Sequence, residues 1–114
     1  MDFNQYSALA LRTANTQQLQ NQLAKLDNAA LGLAGESGEI ADHIKKHLYQ
    51  GHPLDIPKLA KEAGDALWYL NLLADALGIP LEVLATMNIQ KLEARFPGGV
   101  FSAERSMNRH EELE

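Results

Sequence analysis

Apolar side chains recur every three or four residues along most of this chain, and no segment sustains an apolar–polar alternation of period two. The first rhythm puts a stripe on one face of a helix, whereas the second would mark strands. Phe3, Tyr6, Leu9 and Ala10 form the first stripe, with Asp2 placed to cap the helix and Gln5 at the capping-box position. This helix is predicted to end near Asn15, and the polar run NTQQLQNQ follows as a loop or a helical lead-in. A second helix is predicted from about Asp27 to Leu48, stopping before Gly51, His52 and Pro53. The third starts after Asp55, carries Pro57 in its first turn and ends at Gly78. Pro80 opens a fourth, which runs to about Phe96 and is broken by Pro97, Gly98 and Gly99. Beyond it, Val100 to Glu114 reads as a polar tail, extended or partly disordered.

These elements predict an all-α fold, a four-helix bundle over residues 1–99 with short antiparallel connections, followed by the tail 100–114. Helices two and three carry apolar residues on more than one side. Surplus apolar surface on a chain of 114 residues predicts a homo-oligomer.

The pattern is interrupted where acids stand on faces that should be buried. Glu36 and Glu39 lie three apart in the second helix, as do Glu62 and Asp65 in the third, so each pair shares a face. Ile40, His43 and His47 continue the first face; Ala66, Tyr69 and Leu73 continue the second. If the two helices pack together, four carboxylates converge. Like charges ~4 Å apart repel by several kcal/mol at an effective dielectric of 20, so the acids must take up protons or bind a cation. All-oxygen ligation suits Mg²⁺, with Mn²⁺ as a substitute. The small neighbours Ala34, Gly35, Ser37, Gly38, Ala63 and Gly64 sacrifice helix propensity but admit close approach. The opposing reading is an exposed set of acids paired with Lys45, Lys46, Lys58 or Lys61. Two pairs on apolar-neighboured faces favour the metal site.

Composition narrows the chemistry. No cysteine is present, which excludes disulfides, thiolate metal sites and a thiol nucleophile. The net charge of −5, without a Lys/Arg-rich run, argues against a sequence-independent nucleic-acid surface. No apolar run approaches the ~20 residues that span a bilayer, and the first residues lack the pattern of a signal peptide. The expectation is a cytoplasmic protein without a membrane or nucleic-acid partner.

Taken together, Glu36-Ser-Gly-Glu39, a spacer of 22 residues and Glu62-Ala-Gly-Asp65 resemble the ExxE…ExxD signature of the MazG-like nucleotide pyrophosphohydrolases, in the all-α NTP pyrophosphatase superfamily. The stretches ALGLAGESGEIADHIKK, KEAGDALWYLNLLADALGIPLEVLATMNIQKLEARFP and FSAERSMNR extend the likeness over about residues 26–109. The resemblance implies a MazG-type bundle, dimeric or tetrameric, that uses Mg²⁺ to hydrolyse a nucleoside triphosphate to the monophosphate and pyrophosphate. It implies metal binding by Glu36, Glu39, Glu62 and Asp65, and a phosphate site lined by Asn88 and Lys91, to which Arg95, one turn later, adds. A carboxylate not committed to metal would accept the proton of the attacking water, and Glu39 is the choice. An alternative within the family is a base-selective pyrophosphatase of dUTPase or dCTPase type. A non-catalytic helical interaction protein is a further alternative. A di-iron bundle needs Glu-x-x-His, which the chain lacks.

The remaining candidates have two readings each. Tyr69, one turn after Asp65, contacts phosphate or sugar, or is a core tyrosine. Trp68 is expected to point elsewhere and pack in the core or an interface, with a base-stacking platform as the minor alternative. His43 and His47 are expected to line the pocket or to be satisfied inner histidines, without ligating Mg²⁺, while His52 and His110 belong to a loop and the tail. Lys45 and Lys46 suit the C-terminal end of the second helix, with a reach toward a triphosphate as the minor alternative. Phe3 and Tyr6 pack the first helix or touch a base. Arg105 or Arg109 in the tail is a further candidate for polyphosphate.

Overall fold

The computed structural model describes residues 1–108. It holds α1 (Phe3–Leu11), α2 (Gln22–Tyr49), α3 (Ile56–Leu77), α4 (Leu81–Arg95) and α5 (Ala103–Met107), with no strand among the described residues. The all-α expectation is met, with five helices where four were expected. Arg109 and His110 lie outside the described residues. The chain divides into two compact units, Met1–Leu81 and the remainder from Glu82.

In the first unit, α2 and α3 form a long antiparallel hairpin and α1 packs on α3. The capping box of α1 forms as expected: Gln5 N–H donates to Asp2 Oδ1 and Asp2 N–H donates to Gln5 Oε1, both at 2.8 Å. The helix stops at Leu11, short of the predicted Asn15. Its last turn tightens through Thr13 N–H to Ala10 O and Ala14 N–H to Leu11 O. The Ala10 carbonyl also accepts from the Thr13 hydroxyl at 2.7 Å and from Trp68 Nε1 at 3.1 Å, so nothing remains there to continue the helix. Asn15 then builds a turn, its Oδ1 accepting from Gln17 and Gln18 N–H.

The second helix begins at Gln22, five residues before the predicted Asp27. Asn21 is its cap, accepting from Ala24 N–H at 2.8 Å. Asp55 caps α3 through Lys58 N–H at 3.1 Å, and Pro57 stands in the first turn as expected. Gly78 closes α3 in the left-handed conformation at φ 70°, which lets Ile79 N–H reach Ala74 O at 3.0 Å.

Register between α2 and α3 follows from named contacts. Gln22 Nε2 donates to Ala76 O at 2.9 Å, Lys25 pairs with Asp75 at 2.8 Å, and Gly32 lies beneath the Tyr69 ring. The buried core is small and built mainly from alanine: Ala29, Leu72, Ala74, Ala76 and Leu81. Short side chains let the helix axes close up, and Gly32 takes this to its limit, because a Cβ there would overlap Tyr69.

The unit from Glu82 carries most of α4, a turn over 97–99 and α5. Phe96 and Phe101 stack at 5.4 Å across that turn. The tail expected to be extended or partly disordered is helical over Ala103–Met107: Ser102 caps α5, accepting from Arg105 N–H at 3.3 Å. Ser-x-x at a cap outweighs the low apolar content of this short segment.

Gly32→Ala is expected to lower unfolding free energy by about 1–3 kcal/mol through overpacking, despite the better helix propensity of alanine. Gly35, where a Cβ meets nothing within 4 Å, serves as control. Its alanine variant gains roughly 0.5–1 kcal/mol. Denaturant unfolding of both variants checks the pair; a stabilised Gly32→Ala contradicts the close approach.

Candidate active site

The register that seats Gly32 under Tyr69 also aligns the acids. Four residues further along α2 is Glu36, and four back along α3 is Asp65; seven residues give Glu39 and Glu62. One and two helical turns therefore bring the four carboxylates to two successive levels of the hairpin, Glu36 with Asp65 and Glu39 with Glu62. Their mutual influence converges on Glu36, whose pKa is raised above the ordinary 4.5. Loss of solvent contributes most, followed by the charges of Glu39 and Asp65, a hydrogen bond shared with Glu39, and the charge of Glu62.

Glu62 is 9% exposed, and its Oε2 has no hydrogen-bond partner; Glu36 Oε2 is likewise enclosed and unpartnered. A buried acceptor without a donor costs on the order of 1–3 kcal/mol. The lysines do not relieve this. Lys45 and Lys46 both pair with Asp42, at 3.2 and 2.8 Å, and hold its carboxyl below the ordinary range, chiefly through the hydrogen bond from Lys46. Lys25 pairs with Asp75. Among the described residues, no three acidic or histidine side chains are grouped so as to hold a metal as they stand. The acids are neighbours sharing an electrostatic burden. Their chemistry nevertheless fits a hard divalent cation: all-oxygen donors, two of them enclosed and lacking any other partner.

Two hollows flank the acids. One, of about 390 Å³, is lined by Glu36 and Asp65 together with Thr13, Trp68 and Tyr69. Trp68 was expected to point away; instead it lines this hollow while anchoring α1. Its Nε1 donates to Ala10 O and to the Thr13 hydroxyl, at 2.9 Å for the latter. Its ring meets Tyr69 edge to face, with centroids 5.1 Å apart. Tyr6, from α1, is pushed upward in pKa by burial and then by the Asp65 charge, which puts it beside the same acids. Phe3 is partly exposed at 42%.

The other hollow, of about 560 Å³, opens on the side of Glu39 and Glu62 and reaches the α2–α3 loop. His43 Nε2 accepts from Asp55 N–H at 3.1 Å, which fixes its proton on Nδ1. His47 Nδ1 stands 2.8 Å from His52 O. His43 lines the hollow as expected; His47 instead secures the loop, and His52, passed over in the sequence, is a lining residue. Lys58, named in the sequence only as a partner for exposed acids, also lines it. Both omissions stem from a loop whose return path sequence periodicity does not encode. Asn88, Lys91 and Arg95 lie on α4, beyond the first unit.

Because Glu36 in the folded chain holds a proton more tightly than in the unfolded chain, acidification favours the fold. Metal-free protein is expected to gain thermal stability as pH falls from neutral through Glu36's raised range, until its ordinary value of 4.5 is passed. Glu36→Gln is expected to melt higher than wild type at neutral pH and to lose this pH dependence. Thermal melts between pH 4.5 and 8 decide it; a variant that melts lower at neutral pH contradicts the electrostatic burden.

The family model for the MazG nucleotide pyrophosphohydrolase domain matches residues 25–100, which include both acidic pairs, all of α3 and all of α4. The Gene 37 protein of Mycobacterium phage L5 is 35% identical over 79 residues, covering 66% of this chain and 69% of that relative. No solved structure matches the chain. With the family model spanning well over half of its length, this chain belongs to the MazG nucleotide pyrophosphohydrolase domain family.

Proposed function

We propose that the chain hydrolyses nucleoside triphosphates, (d)NTP, to (d)NMP and pyrophosphate with Mg²⁺, Mn²⁺ serving as a substitute. The observation that carries this reading is the enclosed, unpartnered Oε2 of Glu36 and Glu62 within a cluster of four carboxylates. An assembly that raises a glutamate's pKa and leaves acceptors empty is costly for structure alone, and it suits a group that arrives with positive charge.

Glu36, Glu39, Glu62 and Asp65 would hold the metal. When bound, it supplies Lewis acidity toward phosphoryl oxygens and lowers the pKa of water. Glu39 is the most accessible of the two glutamates on α2 and takes the proton of the attacking water. Glu36 supports it through their shared hydrogen bond. The hollow with Tyr69 and Trp68 offers two aromatic walls to the nucleoside. Asn88, Lys91 and Arg95, drawn from the family pattern, are the proposed phosphate contacts, with charge-assisted hydrogen bonds to the polyphosphate.

Self-association is part of the proposal. Leu31, Leu48 and Tyr49 on α2 are 68%, 61% and 80% exposed. On α3, Ile56, Ala63, Leu70 and Leu77 repeat every seven residues and all face solvent. Such stripes suit helix packing against a second copy in a homodimer or homotetramer. Among the described residues, no single helix is long and apolar enough to cross a membrane.

Pyrophosphate release from a panel of NTPs and dNTPs is expected to require Mg²⁺ and to fall by roughly 10²–10⁴-fold in Glu39→Gln. No release from any of them by folded, Mg²⁺-saturated protein contradicts the hydrolase reading. Light scattering is expected to give two or four times the chain mass; a monomer at micromolar concentration contradicts the assembly.

A further inference from the structure

The two hollows differ in chemistry in a way that orients the substrate. The smaller has aromatic walls, Trp68 and Tyr69, beside Glu36 and Asp65. The larger has cationic and imidazole walls, Lys46, Lys58, His43 and His52, beside Glu39 and Glu62. Both belong to the first unit, and the acids stand between them. Glu62 contributes a second, independent indication, because its nine-tenths buried carboxylate lines the larger hollow with one oxygen unpartnered.

Lys58 is distinctive within that wall. Lys46 is already paired with Asp42, whereas no ion pair holds the Lys58 ammonium among the described residues. Lys58 also sits in the first turn of α3, where the aligned peptide dipoles place partial positive charge. His43 is neutral in its contact with Asp55 N–H, leaving Nδ1–H as a donor. Against these stand Glu39, Asp42, Asp55 and Glu62, so an anion enters this hollow only with divalent counter-ions.

We propose that this larger hollow receives the pyrophosphate end of the substrate, with Lys58 contacting its terminal oxygens. The nucleotide then lies along the hairpin, its nucleoside toward Trp68 and Tyr69. The inference rests on the hydrolase reading above and adds a binding residue and a direction to it. In the reaction, the oxygen of water bonds to one phosphorus of the α–β anhydride. The bridging oxygen leaves on the other with the electron pair of the broken bond, and a proton of the water passes to Glu39. Lys58 steadies the charge on the pyrophosphate so released.

Calorimetric titration of inorganic pyrophosphate and, separately, of a nucleoside monophosphate, both with Mg²⁺, tests this on wild type, Lys58→Gln and Lys58→Arg. Loss of one charge-assisted contact is expected to weaken pyrophosphate binding in Lys58→Gln about tenfold. Lys58→Arg is expected to recover most of it, with monophosphate binding within about twofold throughout. Lys58 is exposed, and matching circular dichroism melts exclude a folding defect as the cause. Unchanged pyrophosphate binding in Lys58→Gln, or weakening of the monophosphate instead, overturns the orientation even where wild type turns over NTPs. Absence of turnover in wild type fails the hydrolase reading, and pyrophosphate that does not bind wild type overturns the proposal outright.

Discussion

Tyr69 lies against Gly32 at a point where any larger residue would collide, and this approach sets how α2 and α3 face one another. Four residues from it on each helix stand Glu36 and Asp65, and seven away stand Glu39 and Glu62. The carboxylates are thus aligned by the same geometry that packs the hairpin. Alanine at Ala29, Ala74 and Ala76 keeps the helices close on the far side of Tyr69. Trp68 then ties α1 to α3 through Ala10 and Thr13, closing the aromatic hollow.

This arrangement runs against stability. A small, alanine-rich core gains little from burial per residue, and the hairpin adds enclosed acids to it. The raised pKa of Glu36 and the unpartnered Oε2 of Glu62 both reflect that enclosure. Asn71 adds to it: 1% exposed, it donates at 3.5 Å to Ser7 O and leaves its Oδ1 unpartnered. Divalent cation and substrate would relieve the acids by mass action, coupling occupancy to folding stability. The exposed heptad of α3 is a second unpartnered surface, suited to the proposed association.

Much of this was legible in the sequence because helical periodicity and caps are local. Asp2, Asp55, Pro57 and Gly78 mark helix ends through contacts within one turn, and each behaves as its residue type predicts. The ends that were misplaced answer to partners far along the chain or to weaker caps. The first helix stops where Trp68, 58 positions away, takes the Ala10 carbonyl. The second starts at Asn21, hidden within a polar run. The acids were legible through their spacing and apolar neighbours. Lys58 and His52 were not, because their place depends on the loop that His43 and His47 fasten to α2.

On the proposed reading, the four carboxylates act as one electrostatic unit that takes up a divalent cation. Mn²⁺ titration followed by the paramagnetic resonance of the free ion tests it most directly, comparing wild type with Glu62→Gln at neutral pH. Saturable uptake by wild type is expected, with at least tenfold weaker uptake by the variant. Equal, non-saturating uptake by both proteins would contradict it.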